Sequence, residues 1–309
     1  MMSADKIEAD ILCCASCGVA AGDDVRLKNC TACYLVKYCS IKCQKEHRPK
    51  HKRACKKRAA ELRDEILFKQ PESTHRGDCP ICFIPLSLDK QKSSMASCCS
   101  KLVCNGCTYA NQKREYEGTL GYKCEFCRES LPTTKEESDR QRMKRVGAND
   151  PVAMCEEGYN QDKQGDYISA FELYTNAAEL RDAAAHYNLS IMYQKGRGVE
   201  KDSRKEIHHL EEAAIGGHPD ARHNLGVYEW NNDYNERAVK HWIIAATQGY
   251  DGSMKALMDA FRREFVGKDV LAATLRAHKA AIDATKSTQR DTAEIFFRLK
   301  NAEVVGNFN

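Results

Sequence analysis

The stretch AAIGGHPDARHNLGVYEW, residues 213–230, joins an alanine pair to a glycine turn and a second apolar segment. Alanine pairs recur along the second half of the chain at intervals of 36, 32 and 35 residues, at positions 177–178, 213–214, 245–246 and 280–281. In the same register, AHYNL (185–189) aligns with ARHNL (221–225) and SMKAL (253–257). Self-similarity with a period of about 30–40 residues predicts a solenoid of stacked helix pairs.

The repeat pattern also predicts how these helices pack. Small alanines suit positions where helices approach closely, and larger side chains must then fill the space between layers. We expect this filling role for Leu189, Tyr193, Leu225, Tyr228 and Trp242. The third repeat is shorter because WNNDYNE (230–236) replaces the glycine loop YQKGRGVEKD (193–202).

These repeats resemble Sel1-like repeats, which are short relatives of tetratricopeptide repeats. The resemblance is closest over residues 182–249 and extends over the wider range 151–287. It implies an extended concave surface that binds a peptide or a protein. We expect residues 288–309 to form a C-terminal capping helix and tail, and the charged residues 131–150 to form a linker.

The first half of the chain is a different kind of polypeptide. Of 17 cysteines, 16 lie between Cys13 and Cys127, and Cys155 follows them. The N-terminal sequence MMSADKIEAD has no apolar signal-peptide core, and no stretch approaches the roughly 18 apolar residues of a membrane span. We therefore expect a cytosolic or nuclear protein whose cysteines bind metal, because disulfides are rare in reducing compartments.

The first cysteine block has the spacing Cys14-x2-Cys17-x12-Cys30-x2-Cys33-x5-Cys39-x3-Cys43-x7-His51-x3-Cys55. Eight thiolate or imidazole donors are enough for two tetrahedral zinc ions. Cys39 and Cys43 are four residues apart, as are His51 and Cys55, so each pair is expected on one face of a short helix. Cys13 is the alternative to Cys14 as the first ligand, although the C-x2-C spacing favours Cys14.

This block resembles the MYND zinc finger in its spacing, in YCS at 38–40 and in CQ at 43–44. The resemblance implies two interleaved ligand sets, which are Cys14, Cys17, Cys39 and Cys43 for one ion and Cys30, Cys33, His51 and Cys55 for the other. His47 is interpreted as a solvent-facing residue, because the ligand set is complete without it. Arg48 stands where the family often has tryptophan, which alters the peptide-binding surface. We assign residues 13–55 to the finger and residues 56–78 to a helical linker.

The second cysteine block has the spacing Cys79-x2-Cys82-x15-Cys98-Cys99-x4-Cys104-x2-Cys107-x16-Cys124-x2-Cys127. Over residues 79–130 it resembles a RING finger in which every ligand is cysteine. The resemblance implies that Cys79, Cys82, Cys104 and Cys107 share one ion and that Cys98, Cys99, Cys124 and Cys127 share the other. Cys99 would then replace the usual histidine, and its adjacency to Cys98 is the unusual feature of this set.

Each block has only about 40–50 residues, which cannot bury enough apolar surface to fold alone. A structural zinc ion contributes about 10–16 kcal/mol of apparent binding free energy, so metal loading and folding are expected to be one event. Four zinc ions are predicted. Each site has four protein ligands and no open position, so these are structural and not catalytic sites.

The RING resemblance implies an activity that depends on a surface and needs no covalent active-site residue. RING ubiquitin ligases bind a charged ubiquitin-conjugating enzyme through an apolar residue of the first zinc loop, here Ile81. An arginine after the last ligand, here Arg128, donates hydrogen bonds that join the conjugate to the enzyme. Two departures are Glu125 in place of proline and the absence of tryptophan between positions 79 and 131, where Phe126 or Tyr109 would supply apolar surface.

The charge pattern argues against binding to nucleic acid. Residues 1–150 carry a net charge of +8 and residues 151–309 a net charge of −4. Four zinc ions with fifteen thiolates would change the formal net charge from +4 to about −3. Phosphate binding depends on uncompensated lysine and arginine, so we interpret the basic run at 48–58 as a solvated face.

The sequence therefore predicts a mainly α fold, with two small zinc-stabilised cross-brace modules followed by an α-solenoid of Sel1-like helix pairs. We predict a RING-type ubiquitin ligase that recruits peptide or protein substrates through the MYND finger and the repeats. The alternative is a non-catalytic interaction adaptor, such as a transcriptional co-regulator. Methyltransferase activity, which accompanies MYND fingers in one family, is not expected because no SET-like motif follows residue 131.

Overall fold

The computed structural model of the protein describes residues 13–118 and 121–306. These residues are mainly helical and form twelve α-helices, which confirms the predicted fold class. The chain divides into two compact units, Met1–Lys69 and Gln70–Asn309. Within the described ranges, we find no helix whose length and apolar character would let it cross a lipid bilayer.

The first unit contains a small hairpin and one long helix. Strand β1 (Lys28–Asn29) pairs antiparallel with β2 (Lys37–Tyr38), with Lys28 opposite Tyr38. Helix α1 (Ile41–Leu67) follows at once, and the Ser40 hydroxyl accepts a hydrogen bond from the Cys43 amide at 3.2 Å. This N-cap satisfies an amide that the first turn would otherwise leave unpaired.

Helix α1 corrects the prediction of two short ligand-bearing helices. Cys43, His51 and Cys55 all lie on this one helix of 27 residues, whereas Cys39 precedes its N-cap. Pro49 lies inside the helix and does not end it, although proline supplies no amide for the helical hydrogen bond. Burial of Cys43 and His51 anchors the N-terminal half of the helix to the cysteine-rich hairpin.

The second unit begins with the second cysteine-rich module. A 3₁₀ turn (Lys90–Lys92) leads into strand β3 (Ser93–Met95), which pairs antiparallel with β4 (Leu102–Cys104). Helix α2 (Asn105–Glu117) starts directly after β4. Buried Leu86 and Val103 are the apolar members of a core that otherwise consists of cysteines.

Ten further helices form the rest of the second unit. They are α3 (Lys135–Gly147), α4 (Pro151–Gln164), α5 (Tyr167–Glu179), α6 (Ala183–Lys195), α7 (Ser203–Ile215), α8 (Pro219–Asn231), α9 (Asn235–Thr247), α10 (Asp251–Arg262), α11 (Lys268–Ala284) and α12 (Thr288–Gly306). Aspartate side chains cap several N-termini by accepting backbone amides, as Asp150 does for α4 and Asp182 does for α6. Helices α4 to α11 pack in consecutive pairs, as expected for a solenoid.

Three of the four alanine pairs, at 177–178, 213–214 and 245–246, are buried where helices meet, whereas Ala280 is exposed. Larger side chains fill the layers between the helices. Leu189, Leu225 and Trp242 are buried as predicted, and Tyr193 is 8% exposed. The prediction for Tyr228 was wrong, because its side chain is 41% exposed and does not fill a layer. Gly226 allows the close approach of α8 and α9, since a Cβ there would lie 2.3 Å from Trp242 Nε1.

Residues 131–150 are more ordered than the predicted linker. Thr134 caps α3 by accepting the Glu137 amide, and Glu136 and Glu137 lie in the first turn, where carboxylates favour helix formation. Arg142 on α3 donates to Glu157 on α4 at 2.7 Å, so this segment is packed onto the repeats.

The C-terminal helix also differs from its predicted role. We expected it to cap the end of the repeats, but α12 packs chiefly against α2 of the second cysteine module. The Tyr109 and Phe296 rings lie 4.9 Å apart, and Gln289 donates to the Gly106 carbonyl at 2.8 Å. The last helix therefore belongs with the second cysteine module.

The segment before Cys79 also joins the second cysteine module to the repeats. The His75 amide donates to the Gly217 carbonyl at 3.0 Å, and the His75 and His218 rings stack with centroids 4.0 Å apart. The segment before Cys79 therefore lies against the turn between α7 and α8. Together with α3 and α12, it holds the second cysteine module to the repeats.

Candidate metal centres

The first site in the first unit brings together the sulfur atoms of Cys14, Cys17, Cys39 and Cys43. Cys17 and Cys39 sulfurs lie 3.6 Å apart, and Cys39 and Cys43 sulfurs lie 3.6 Å apart. Cys13 is not a member of this cluster. The structure thus places Cys14, and not its neighbour, at the site.

The second site in this unit is formed by Cys30, Cys33, His51 and Cys55. The Cys33 sulfur lies 3.2 Å from His51 Nε2, and the Cys30 and Cys55 sulfurs lie 3.8 Å apart. Burial, and secondarily the neighbouring His47 imidazole, lowers the pKa of His51. A neutral imidazole is the form that binds a metal.

His47 has a supporting role that the sequence did not reveal. Its Nδ1 is hydrogen-bonded to the Tyr38 hydroxyl at 3.1 Å, and its ring stacks on the His51 ring with centroids 5.6 Å apart. The Tyr38 side chain is buried among the cysteines. His47 is therefore not simply solvent-facing, because it orients the histidine that points into the second site.

The third site is formed by Cys79, Cys82, Cys104 and Cys107 in the second unit. Cys79 and Cys82 lie on a turn, whereas Cys104 ends β4 and Cys107 lies in the first turn of α2. The sulfurs of Cys82 and Cys104 lie 3.8 Å apart. Strand β4 and helix α2 therefore supply two ligands, Cys104 and Cys107, and the turn supplies the other two, Cys79 and Cys82.

The fourth site contains the adjacent Cys98 and Cys99 with Cys124 and Cys127. Cys99 lies 3.9 Å from Cys124 and Cys98 lies 3.3 Å from Cys127, measured between sulfurs. Adjacent residues can share the site because Ser100 adopts a left-handed conformation (φ 56°) and its amide bonds to the Ala96 carbonyl. Ligands of the third and fourth sites alternate along the chain in a cross-brace.

Four of the ligand pairs share one backbone geometry. In the C-x2-C turns at 14/17, 30/33, 79/82 and 124/127, the residue after the second cysteine has a positive φ, and its amide donates to the carbonyl of the first cysteine. The fifth such pair, Cys104 and Cys107, instead leads from β4 into α2. These four residues are Gly18, Tyr34, Phe83 and Arg128. The left-handed conformation suits glycine and costs energy for the other three. It orients both sulfurs of a turn toward one point.

The donor distances fit zinc and do not fit disulfides. Bonds of about 2.3 Å from a tetrahedral zinc to sulfur place neighbouring sulfurs about 3.8 Å apart, whereas a disulfide needs about 2.05 Å. All 17 cysteines are free, and the donor atoms of each site lie within 4.8 Å of one another. The residues present therefore fit four-coordinate zinc.

Electrostatics lead to the same conclusion, because one cluster cannot hold several thiolates without a cation. In the third site, a hydrogen bond from Cys104 lowers the pKa of Cys79 to about 4 and raises the pKa of Cys104 itself. Burial raises the pKa of Cys107 to about 12. In the first site, hydrogen bonding with Cys43 raises the pKa of Cys39 to about 12. A divalent cation would offset this repulsion and allow all four thiols to ionise.

The two predicted partner-binding residues differ in their surroundings. Ile81, between Cys79 and Cys82, is 37% exposed, and the neighbouring Phe83 is 77% exposed. The Arg128 guanidinium donates to Asn111 Oδ1 at 2.8 Å and to Glu115 Oε1 at 3.1 Å. Ile81 thus presents apolar surface, whereas Arg128 is engaged within the module.

Glu115 is a structural residue that spacing alone did not indicate. Its side chain is fully buried, and its second oxygen accepts the Lys123 amide at 3.1 Å. It therefore ties α2 to the loop that carries Cys124 and Cys127. A buried carboxylate is stable only with such partners, so Arg128 contributes to folding as well as to the surface.

The MYND-like and Sel1-like sequence patterns both match known families. The MYND finger family matches residues 14–55, and the Sel1 repeat family matches residues 144–182, 183–218 and 219–250. The chain carries a MYND finger and three Sel1 repeats. The MYND finger is the module that holds the first two sites. Sel1 repeats are protein-interaction modules, so the chain combines zinc-binding modules with an interaction scaffold.

The three Sel1 matches contain the helix pairs α4–α5, α6–α7 and α8–α9. A fourth pair, α10–α11, continues the stack beyond residue 250, and both of its helices pack on α9. The second cysteine module lies between the MYND and Sel1 matches. Its distinguishing feature is the cross-brace of the third and fourth sites.

Two curated relatives match short stretches of the chain. The ERAD-associated E3 ubiquitin-protein ligase component HRD3B of Arabidopsis thaliana is 47% identical over 47 residues, which are 15% of this chain and 8% of the relative. Chitin synthase regulator SKT5 of Saccharomyces cerevisiae is 31% identical over 86 residues, which are 27% of this chain and 12% of the relative. The chain thus spans a small part of the length of either relative.

Solved structures of repeat proteins are similar to part of the chain. A Sel1 repeat protein from Oxalobacter formigenes aligns with a TM-score of 0.42 and 26% identity, over 48% of this chain and 66% of that one. The antigen c5321 of uropathogenic Escherichia coli, which displays an SLR fold, aligns with a TM-score of 0.40 and 27% identity, over 48% and 33% respectively.

Proposed function

We propose that the protein is a zinc-dependent ubiquitin ligase of the RING type, which holds substrate on its Sel1 repeats and MYND finger. The observation that carries this proposal is the cross-brace of the third and fourth sites, with Ile81 exposed on the first loop. The HRD3B relative is named as a component of a ubiquitin ligase, which agrees with this proposal. Its match to this chain covers 47 residues only.

Each of the four sites would hold one zinc ion. The ligands are four cysteines in three sites and three cysteines with His51 in the other. With no open coordination position, zinc would act by folding the modules and not by activating water. The ligase would therefore work by positioning a charged ubiquitin-conjugating enzyme.

The Sel1 repeats offer a surface for the substrate. The first helix of several pairs exposes large apolar side chains, which include Tyr159 on α4, Tyr228 on α8 and Phe261 on α10. Aromatic residues are frequent binding anchors because they bury a large area at low entropic cost. We propose that a peptide or protein substrate binds here, and that neither a membrane nor nucleic acid is the partner.

Self-ubiquitination of the full zinc-loaded chain tests the proposal, with a panel of ubiquitin-conjugating enzymes. Ile81→Ala should reduce the rate about tenfold or more, as expected for an interface anchor. The matched control is Ile168→Ala on α5, because Ile168 is 69% exposed and far from the cysteines in sequence. Cys104→Ala should abolish activity together with zinc binding at the third site.

Arg128 needs a conservative change because Arg128→Ala would leave the buried Glu115 carboxylate without its guanidinium partner. Arg128→Lys keeps the charge but loses the planar donor fork. Loss of activity in a folded, zinc-loaded Arg128→Lys variant supports a role for Arg128 in ligase activity. Full activity of the Ile81 and Arg128 variants would contradict the proposed surface.

A non-catalytic adaptor is the second candidate, and the engagement of Arg128 with Asn111 and Glu115 favours it. Glu125, which replaces the usual proline, accepts a hydrogen bond from Thr108 at 2.6 Å and places a carboxylate near the ligase surface. If no conjugate forms with any conjugating enzyme while the repeats still capture substrate, the protein is an adaptor. We propose a cytosolic or nuclear location, which imaging of a fluorescent fusion would test.

A further inference from the structure

The third metal site receives a side chain from the far end of the chain. Arg290, at the start of α12, donates from Nη2 to the Cys82 sulfur at 3.4 Å, across 208 positions of sequence. The same nitrogen donates to the Ile84 carbonyl at 2.9 Å. Nη1 donates to the carbonyls of Pro85 at 2.6 Å and Thr285 at 2.7 Å. The guanidinium therefore joins the loop that follows Cys82 to the turn between α11 and α12, which contains Thr285.

The backbone is shaped for this approach. Gly106 lies in the first turn of α2, beside Cys107, and a Cβ at this position would lie 3.0 Å from Arg290 Cγ and 3.2 Å from Arg290 Cα. Gln289 donates to the Gly106 carbonyl at 2.8 Å. Glycine is therefore needed here so that α12 can contact α2.

Further along α12, other contacts continue the same surface. Lys92, in the 3₁₀ turn of the cysteine module, pairs with Glu294 at 3.0 Å. Phe296 packs on Tyr109 with ring centroids 4.9 Å apart. These exposed or partly exposed contacts are individually weak, whereas the four hydrogen bonds of Arg290 converge on one side chain.

The charge of a loaded site explains why a guanidinium suits this position. One zinc ion with four thiolates carries a net charge of −2, and cationic or amide donors to the sulfurs stabilise such a site. Arg290 brings a permanent positive charge to one of those sulfurs. If the metal leaves, the loop that carries Cys82, Ile84 and Pro85 is no longer held by the ion, and the acceptors of Arg290 lose their fixed geometry.

We propose that Arg290 couples zinc occupancy of the third site to the docking of helix α12, so that each stabilises the other. The inference rests on the zinc binding proposed above and does not depend on ligase activity. Loss of this one ion would release α12 and expose the apolar surface around Tyr109. By linkage, undocking α12 would also weaken zinc binding.

Zinc release from the full-length chain tests one direction of this coupling. Arg290→Gln should release one of the four ions about 10–100-fold faster into a chromophoric chelator, which is the range for loss of a supporting ligand contact. Arg290→Lys should recover part of the difference because it keeps the charge. The control is Arg298→Gln, because Arg298 lies on the same helix and pairs with Glu294 at 3.1 Å.

Hydrogen exchange tests the other direction. In Cys79→Ala, which lacks one ligand of the third site, loss of this zinc should abolish protection of α12 while the Sel1 repeats keep theirs. Gly106→Ala should weaken this protection without changing a sulfur or a charge, because a Cβ there lies 3.0 Å from Arg290 Cγ and 3.2 Å from Arg290 Cα, so α12 must shift. Alanine is a better helix former than glycine, so α2 itself should persist.

The outcomes separate this inference from the proposed function. If the wild-type chain holds no zinc, the zinc proposal itself fails. If it holds four ions but Arg290→Gln releases all of them at the wild-type rates, Arg290 has no coupling role. Full protection of α12 after zinc removal, or normal zinc retention in Gly106→Ala with α12 undocked, would also overturn the coupling.

Discussion

The cysteine modules and the Sel1 repeats are stabilised by different means. In the MYND finger, the buried cluster consists of Cys14, Cys30, Cys33, Tyr38 and Cys43. In the last repeats, the buried cluster consists of Ala238, Trp242, Ala246, Met254, Leu257, Ala260 and Val266. The first core is made of ligand atoms and the second of apolar side chains. The modules should therefore depend on metal, and the repeats on close packing.

The largest effect is expected from removal of one ligand of the MYND finger. Cys43→Ala should remove zinc and unfold the first unit, because structural zinc contributes about 10–16 kcal/mol. Metal analysis should show the lost ion, and hydrogen exchange should show lost protection in residues 13–69 while residues 151–284 remain protected. Cys13→Ala is the matched control, since Cys13 lies outside the cluster. Zinc loss in the control, or retention in Cys43→Ala, would contradict the ligand assignment.

In the repeats, a single added methyl group should have a large effect without changing zinc content. Gly226→Ala places a Cβ 2.3 Å from Trp242 Nε1, and overpacking of this kind costs about 1–3 kcal/mol. Thermal unfolding of the repeats should shift to a lower temperature. Gly147→Ala is the control, because nothing lies within 4 Å of a Cβ at that position. Equal melting of the two variants would show that the α8–α9 contact is not tightly packed.

Acid should weaken the repeats through buried histidine. Burial, followed by the charges of Lys90 and Arg76, lowers the pKa of His218 to about 3. The unfolded chain binds a proton near pH 6.5 and the folded chain does not, so this stability is present above pH 6.5 and is lost as pH falls toward 3. Between pH 7 and 5.5, the wild type should lose about 1 kcal/mol more than His218→Asn.

His218→Asn is a suitable comparison because asparagine is also a good N-cap. His218 Nδ1 accepts the Ala221 amide at 3.4 Å, and an asparagine oxygen can replace it. Urea unfolding of the repeats at several pH values measures the difference in stability between the two proteins. The effect of acid on the zinc sites is the same in both and cancels in this comparison. Parallel pH curves for the two proteins would argue against a buried neutral His218.

The smallest effect is expected from the exposed ion pairs of α1. Arg58 pairs with Glu61 at 3.3 Å and with Glu65 at 2.8 Å on the surface of the helix. Such pairs are screened by solvent, so Arg58→Ala should leave zinc content and melting temperature within experimental error. A clear loss of zinc in this variant would mean that charge on α1, and not ligation alone, supports the MYND finger.

Local spacing carried much of the information about the metal centres. Two cysteines in a C-x2-C turn can reach one ion without help from distant residues, and the family resemblances supplied the pairing of turns. The left-handed residues Tyr34, Phe83 and Arg128 were not predicted, since bulky side chains rarely adopt that conformation. Their position after a C-x2-C turn that does not lead directly into a helix is the signal that could have identified them.

The rest of the fold depends on tertiary contacts that no local pattern contains. Alanine periodicity predicted the repeats, but the same pattern placed Tyr228 inside a layer, where the structure leaves it exposed. Arg290 reaches Cys82 across 208 positions, and nothing in the sequence around either residue indicates that contact.

Native mass spectrometry of the full-length chain tests most directly whether metal holds the cysteine modules together. We predict four zinc ions per chain, whose removal by a chelator unfolds residues 13–69 and the second cysteine module while the Sel1 repeats stay folded. A metal-free chain that is fully folded and indifferent to chelators would contradict this prediction.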